Sequence, residues 1–366
     1  MLKNKYVLML TALLAFSFSS SAMAVTKMKI QSVIGSSTSE VVMLKEFAAN
    51  VATLTDGRVL MEIVPGGSVV PNNDVLDAVD AGLLDGGFAW THYWSGYHPA
   101  TMLFGSPTAG AGLGLDNISW VSWFMYGGGR ELYDQLWSEM GMNIKGVILQ
   151  PSGPEALGWF QEPIENMDDF RDYTYRAPPG IPGQAYIEIG VDAVTMGGED
   201  ILPALENGTI DAAEWCCPYS DSIFGFQKVL KNYYLQGLHQ NIVNADLYIN
   251  GDVWKSISPA HQRAIEISAD ASMMQTIAWR MFENGKALKN LTENHGVQLY
   301  DTPPDYFDEY MEASAVLFEK FNESSPFFKK VYDSMETFAQ STVPFWAQAQ
   351  TSNANIGTAY ASSLEK

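Results

Sequence analysis

Ile210-Asp211-Ala212-Ala213-Glu214-Trp215-Cys216-Cys217-Pro218-Tyr219 reads as a strand that carries a carboxylate and a large aromatic into a turn set by Pro218. Strand ends in α/β lobes point at the cleft, so Glu214 and Trp215 stand where a ligand would be met. The residues alone leave Glu214 open to three roles: cation ligand, hydrogen-bond acceptor or surface carboxylate. Upstream, the pattern predicts a helix over 198–207, a short strand at 193–196, a helix over 182–190, and strands over 173–177 and 143–149. The same alternation opens the chain, with strands at 28–34, 59–64 and 86–91 separated by helices at 40–54 and 71–81. This is α/β logic with a mostly parallel sheet, and its repetition in two halves is what a hinged pair of lobes requires. In the helix at 71–81, Asp74, Asp77 and Asp80 read as a solvated face.

From Ser258 the pattern changes. Ser258 is an N-cap, Pro259 takes the first helical position, and a near-continuous helix follows to about Asn294. At 1.5 Å per residue it spans on the order of 50 Å, enough to bridge both lobes or to pack against a second subunit. The aromatic-rich segment 306–346 reads as further helices and core, and the polar tail from Ser352 is expected to fray. The layout is a signal peptide at 1–24, a first part of lobe I at 25–149, lobe II at 150–240 and a return to lobe I at 241–257. The remainder, 258–366, supplies the long helix and C-terminal helices spanning the lobes and a dimer interface.

The signal peptide rests on Lys3 and Lys5, an apolar run from Tyr6 to Phe18, and Ala22-Met23-Ala24, after which cleavage is expected. The run is shorter than the about 20 residues a bilayer span needs. Formal net charge is −21, or −23 once those two lysines leave, and such a surface repels nucleic acid and anionic lipid. An acid-binding site here must therefore generate its own positive field. The only cysteines are adjacent, Cys216-Cys217, with no spaced disulfide framework. Neighbouring Cα atoms lie about 3.8 Å apart, short of the usual bridge range, so a vicinal disulfide would be strained. Two reduced, buried thiols are the alternative.

Other candidates flank the opening stretch. Arg176, one of six arginines, ends a strand before Pro178-Pro179-Gly180, and its planar fork suits a carboxylate. Trp90-Thr91-His92-Tyr93-Trp94 follows another strand, and Gly153-Pro154-Glu155-Ala156-Leu157-Gly158-Trp159 sets a second aromatic beside polar groups, as small-ligand pockets do. No G-x-S-x-G elbow, Walker loop, G-x-G-x-x-G or H-E-x-x-H is present, and the five histidines are scattered.

With these segments the chain resembles the solute-binding proteins of tripartite ATP-independent periplasmic (TRAP) transporters, in the branch that binds 2-oxo acids such as pyruvate, or lactate. The resemblance runs along nearly the whole mature chain and is most specific at Phe104-Gly105-Ser106-Pro107-Thr108, Tyr126-Gly127-Gly128-Gly129-Arg130-Glu131-Leu132-Tyr133 and Pro203 through Trp215. It implies a periplasmic, two-lobed Venus-flytrap receptor that delivers its solute to a membrane permease and catalyses nothing. It implies that Arg176 holds the carboxylate and that calcium or sodium bridges protein and substrate. Glu214 would give the cation side-chain oxygen and Trp215 its backbone carbonyl, with Gln240 at a further ligand position. Glu155 would reach metal or substrate, with Gln150 its rival, and His92, Tyr93 and Trp94 would form the aromatic wall. The branch carries an amide where Glu155 stands and an acid where Gln240 stands; exchanging them keeps two carboxylates around the ion. A homodimer through the long helix is also implied. The competing readings are a periplasmic metal-dependent lyase or hydrolase using Glu155 or Glu214 as base, and a sensor-coupled binding module.

Overall fold

The computed structural model describes residues 25–364; the expected signal peptide at 1–24 lies outside them. In chain order the strands are β1 (Thr26–Ser32), β2 (Val59–Val64), β3 (Gly86–Trp90), β4 (Ile144–Pro151), β5 (Gly158–Phe160) and β6 (Thr174–Arg176). They continue with β7 (Asp192–Val194), β8 (Ala212–Ala213), β9 (Asn232–Tyr234), β10 (Asn244–Asn250) and β11 (Gln298–Tyr300). Two sheets result, ordered β2-β1-β3-β10-β4 and β11-β9-β5-β8-β6-β7. Strands β1, β2 and β3 are parallel, but β10 runs antiparallel to both β3 and β4, because the chain returns to the first sheet from the second.

That return positions the site. The chain leaves the first sheet after β4 and re-enters it at β10, with Asn244 paired to Pro151. The pairing continues beyond the strands: the Ser152 amide donates to the Val243 carbonyl at 2.7 Å and the Glu155 amide to the Gln240 carbonyl at 3.0 Å. The two crossing segments thus form one ladder between the lobes, and it sets Glu155 beside Gln240.

Strand β3 is buried along its whole length. Its glycines let neighbours close on it: a Cβ at Gly86 would lie 2.6 Å from the Tyr248 carbonyl oxygen, and one at Gly87 2.5 Å from Val75. Aliphatic helix faces and a belt of tryptophans and tyrosines pack around this sheet, and a smaller core around Trp159, Leu205, Phe226, Tyr233 and Leu291 lies against the second.

The long helix forms as Pro259–His295, with the Ser258 hydroxyl accepting from the His261 amide and Gly296 closing it at φ 67. It packs on β4 and the helix Ser39–Leu54 in one lobe and on the helix Pro218–Phe224 in the other, so it bridges both. Three local expectations are corrected. The helix at 71–81 is a 3-10 turn, Asn72–Asp74, followed by a helix Val75–Asp80. Its Asp80 is half-buried and accepts from the Asn143 amide, so it ties the helix to the start of β4 instead of facing water. The tail from Ser352 is not irregular but continues the helix Pro326–Leu364, with residues 351–364 exposed on every side.

Candidate functional site

Arg176 ends β6 and Glu214 follows β8; the two strands are parallel neighbours, so both residues leave the sheet at the same edge. Their side chains form a buried ion pair, Arg176 Nη1 to Glu214 Oε1. The same Nη1 donates to the Glu214 carbonyl at 3.1 Å, while Nε and Nη2 donate to the Met196 carbonyl at 3.3 and 3.2 Å. A guanidinium has five N–H groups, so these bonds leave it little that is uncommitted. The Trp215 ring stacks under it, with the guanidinium carbon 5.4 Å from the centroid. Gly198 makes room for that ring, since a Cβ there would lie 2.6 Å away.

Glu155, Glu214 and His239 converge beside this pair, each offering one ligand atom within 4.8 Å of the others. Glu155 Oε2, Glu214 Oε2 and His239 Nε2 are buried and have no hydrogen-bond partner. The other ring nitrogen of His239 is held by the Tyr186 hydroxyl at 3.0 Å. Burial, then the charges of Glu214 and Cys217, push the Glu155 carboxyl well above its usual range. Unpartnered buried oxygens are expensive unless something pairs them, and two carboxylates with an imidazole nitrogen fit a cation. Gln240 stands alongside, its amide nitrogen donating to the Ser106 hydroxyl at 3.2 Å, which leaves the side-chain oxygen as the group it can offer.

The cavity lined by Arg176, Glu155 and Gln240 holds about 440 Å³, solvent at its mouth included, at the small end for a ligand site. Trp90, His92, Tyr93, Pro178, Pro179 and Trp215 form its apolar walls. His92 is kept neutral by burial, which lowers its pKa to about 3. Its backbone sits against Gly105, where a Cβ would lie 2.2 Å from the His92 amide nitrogen, so the Phe104–Thr108 stretch needs that glycine to seat the wall.

Of the residues read from the sequence, Arg176, Glu155, His92, Tyr93, Trp215 and Gln240 line this cavity, and Glu214 lies directly behind it. Trp94 does not line it: the residue is buried with its ring edge-on to Tyr248, because the 3-10 turn Thr91–Trp94 rotates it back into the first lobe. Gln150 is elsewhere, donating to the Glu40 carbonyl at 2.9 Å, whereas Glu155 lines the cavity. Trp159, grouped with Glu155 in the sequence, stacks on Tyr233 at 4.1 Å in the second core. Cys216 and Cys217 are free and buried.

Sequence reasoning missed His239, although it adjoins Gln240. It also missed Arg280 and Glu40, which meet in the cavity from helices 240 residues apart at 2.6 Å. No local spacing announces such a pair.

Two lobes joined by a paired crossover, with a cluster that could hold a cation and an arginine at the seam, define a two-lobed solute receptor. The chain belongs to the bacterial extracellular solute-binding protein family 7, which it matches over residues 30–324. It is 28% identical over 291 residues to a monocarboxylate 2-oxoacid-binding periplasmic protein of Nostoc sp., covering 80% of this chain and 78% of that one. Its fold matches a TRAP transporter solute-binding protein of Bordetella bronchiseptica, a dimer with copurified calcium and picolinate at one site, with TM-score 0.85 and 27% identity over 93% of this chain and 99% of that one. A second match is a TRAP solute-binding protein of Pseudoalteromonas atlantica with bound sodium and pyruvate, TM-score 0.82 and 22% identity over 90% and 99%. The protein is thus an extracytoplasmic TRAP-type receptor and not an enzyme, and the lyase or hydrolase reading falls away. Among the described residues no helix is long and apolar enough to cross a membrane.

The raised Glu155 pKa carries a sign. A carboxyl raised by burial binds its proton more tightly in the folded than in the unfolded chain, whose carboxyl titrates at about 4.5, so this group costs stability as pH rises past that value. In chelator at pH 7, Glu155→Gln is expected to raise the melting temperature by a few degrees, on the order of 1 kcal/mol, and to flatten its fall with pH. Calorimetric scans from pH 4 to 8 showing an equal or lower melting temperature would contradict this reading of the group.

Proposed function

We propose that this receptor binds a small 2-oxo monocarboxylate of pyruvate type, with Arg176 taking the carboxylate and a cation held by Glu214 and Glu155 bridging protein and ligand. The observation that carries the reading is the trio of unpartnered buried atoms on Glu155, Glu214 and His239, gathered where Glu155 and the Arg176 guanidinium line one small cavity. Ionised together, Glu155 and Glu214 would repel an anion, and burial resists that ionisation at Glu155 until a cation takes the place of its proton. A divalent cation between them makes the site attractive and chelates the carboxylate and the 2-oxygen together. The Nostoc relative binds monocarboxylate 2-oxoacids, and the picolinate of the Bordetella protein carries a ring nitrogen next to its carboxylate, a donor placed as a 2-oxygen is. Two carboxylates favour calcium over sodium. The Trp215 carbonyl and Gln240 would complete the oxygen shell, and lactate, whose 2-hydroxyl can also coordinate, would be a weaker alternative ligand.

Cation and ligand would bind together for a mechanical reason. Glu214 Oε1 holds the Arg176 Nη1. A cation that draws the Glu214 carboxylate to itself loosens that hold and frees the fork for the ligand's oxygens. The Trp90, His92 and Tyr93 wall on one side and Pro178, Pro179 and Trp215 on the other then close around a short tail.

Titration calorimetry with pyruvate should give tight binding in calcium and none in chelator. Arg176→Ala should weaken it a hundredfold or more, about 3 kcal/mol. Glu214→Gln should make what binding remains indifferent to calcium. Unchanged titrations in either variant, with melting curves confirming folding, would remove that residue from the site.

The receptor would also pair with a second copy. Ile267, Met274 and Met281 recur every seven residues on the long helix and are exposed, an apolar stripe of the kind that seats another helix. Light scattering should report a dimer that Met274→Glu with Met281→Glu converts to a monomer, and a wild-type monomer would refute the pairing.

A further inference from the structure

One cluster in the cavity wall has no part in holding a cation or a carboxylate. Cys216 lines the ligand cavity, and Cys217 lines a second cavity of about 1380 Å³ behind it, bordered by the long helix. Their sulfurs are 2.6 Å apart and both are buried. Arg280 of the long helix lines both cavities and donates from Nη1 to the Cys216 sulfur at 3.1 Å and the Cys217 sulfur at 3.2 Å. Its Nη2 donates to Glu40 Oε1 at 2.6 Å, and its Nε has no partner.

These contacts join three parts of the molecule. Glu40 belongs to the helix Ser39–Leu54 of the first lobe, the cysteines follow β8 in the second, and Arg280 comes from the helix spanning both. One guanidinium in the wall of the ligand cavity therefore ties the lobes together. Two sulfurs in contact, with Cys217 on the wall of the larger cavity, are placed for thiol–disulfide exchange.

We propose that Cys216 and Cys217 form a redox-modified pair: a small extracytoplasmic disulfide oxidises them to a vicinal disulfide, and this unlatches Arg280 and loosens the closed receptor. One cysteine sulfur attacks the reagent's S–S bond and releases one small thiol. The second attacks the resulting mixed disulfide and releases the other. The protein loses two protons and two electrons, and the reagent gains both as two thiols. A disulfide sulfur carries no charge and is a weak hydrogen-bond acceptor, so oxidation leaves Glu40 as the one strong partner of Arg280. Compartment favours the chemistry, since thiols persist poorly outside the reducing cytoplasm.

The modification stands on its own geometry; its effect on ligand retention rests on the pyruvate reading. Full-length mature protein is treated with 2-hydroxyethyl disulfide and read three ways. Intact mass should fall by two hydrogens with loss of both thiols, and dithiothreitol should restore them. The melting temperature of ligand-free protein should drop by several degrees. The pyruvate dissociation rate in calcium should rise about tenfold. Cys217→Ser should show no loss of two hydrogens, because Cys216 alone can go no further than a mixed disulfide that dithiothreitol removes, and reduced Arg280→Met should already dissociate as fast as the oxidised wild type. Persistence of both thiols, arrest at a mixed disulfide, or a disulfide that leaves the melting temperature unchanged would overturn the proposal. If reduced protein binds no pyruvate, the ligand reading fails, while the mass and melting readouts still judge the thiol pair.

Discussion

The buried pair of Arg176 and Glu214 is the constraint around which the rest of the site is arranged. Taking two charges out of water is costly, and the attraction between them repays that cost only where the remaining donors and acceptors are also met. Here the guanidinium is met by the carbonyls of Met196 and Glu214 and by the face of Trp215. One carboxylate oxygen of Glu214 is left over, and it points to the same place as an oxygen of Glu155 and a nitrogen of His239. A parallel pair of strands ending at one edge makes the first interaction, and the crossover ladder between lobes brings the second group to it.

This arrangement links recognition to shape. Arg176 and Glu214 belong to the second sheet, whereas Glu155 and Gln240 sit on the two strands of chain that join the lobes. A ligand that engages all four is held by one lobe and by the hinge at once. The aromatic wall at Trp90, His92 and Tyr93 comes from the first sheet, so the same ligand also senses whether the lobes have closed. Differential contact of this kind is what lets a small molecule shift a conformational balance.

Much of this was legible in the chain because it is local. Strand, helix and strand succeed each other with clear punctuation, and Arg176 and Glu214 each stand at a strand end before a proline turn, where chemistry and position coincide. The juxtaposition of Glu155 and Gln240 could be suspected only from the resemblance; its cause is the antiparallel return of β10, a pairing across 85 or more residues that no local pattern encodes. Trp94 and Trp159 misled for a related reason. A large aromatic beside a polar motif suits a pocket and a core equally, and a single turn decides which way it faces. Arg280 and Glu40 were invisible because each is an ordinary helical residue until the fold brings their helices together.

The central claim is that one cation joins Glu214 and Glu155 to the ligand while Arg176 holds the ligand's carboxylate. A crystal structure grown with calcium and pyruvate, with the ion located by anomalous scattering, tests it most directly. The account predicts calcium at about 2.3–2.6 Å from Glu214 and Glu155 oxygens and from both the carboxylate and the 2-oxygen of pyruvate, with the guanidinium of Arg176 on that carboxylate. Calcium located away from Glu214, or pyruvate bound with its carboxylate off Arg176, would contradict it.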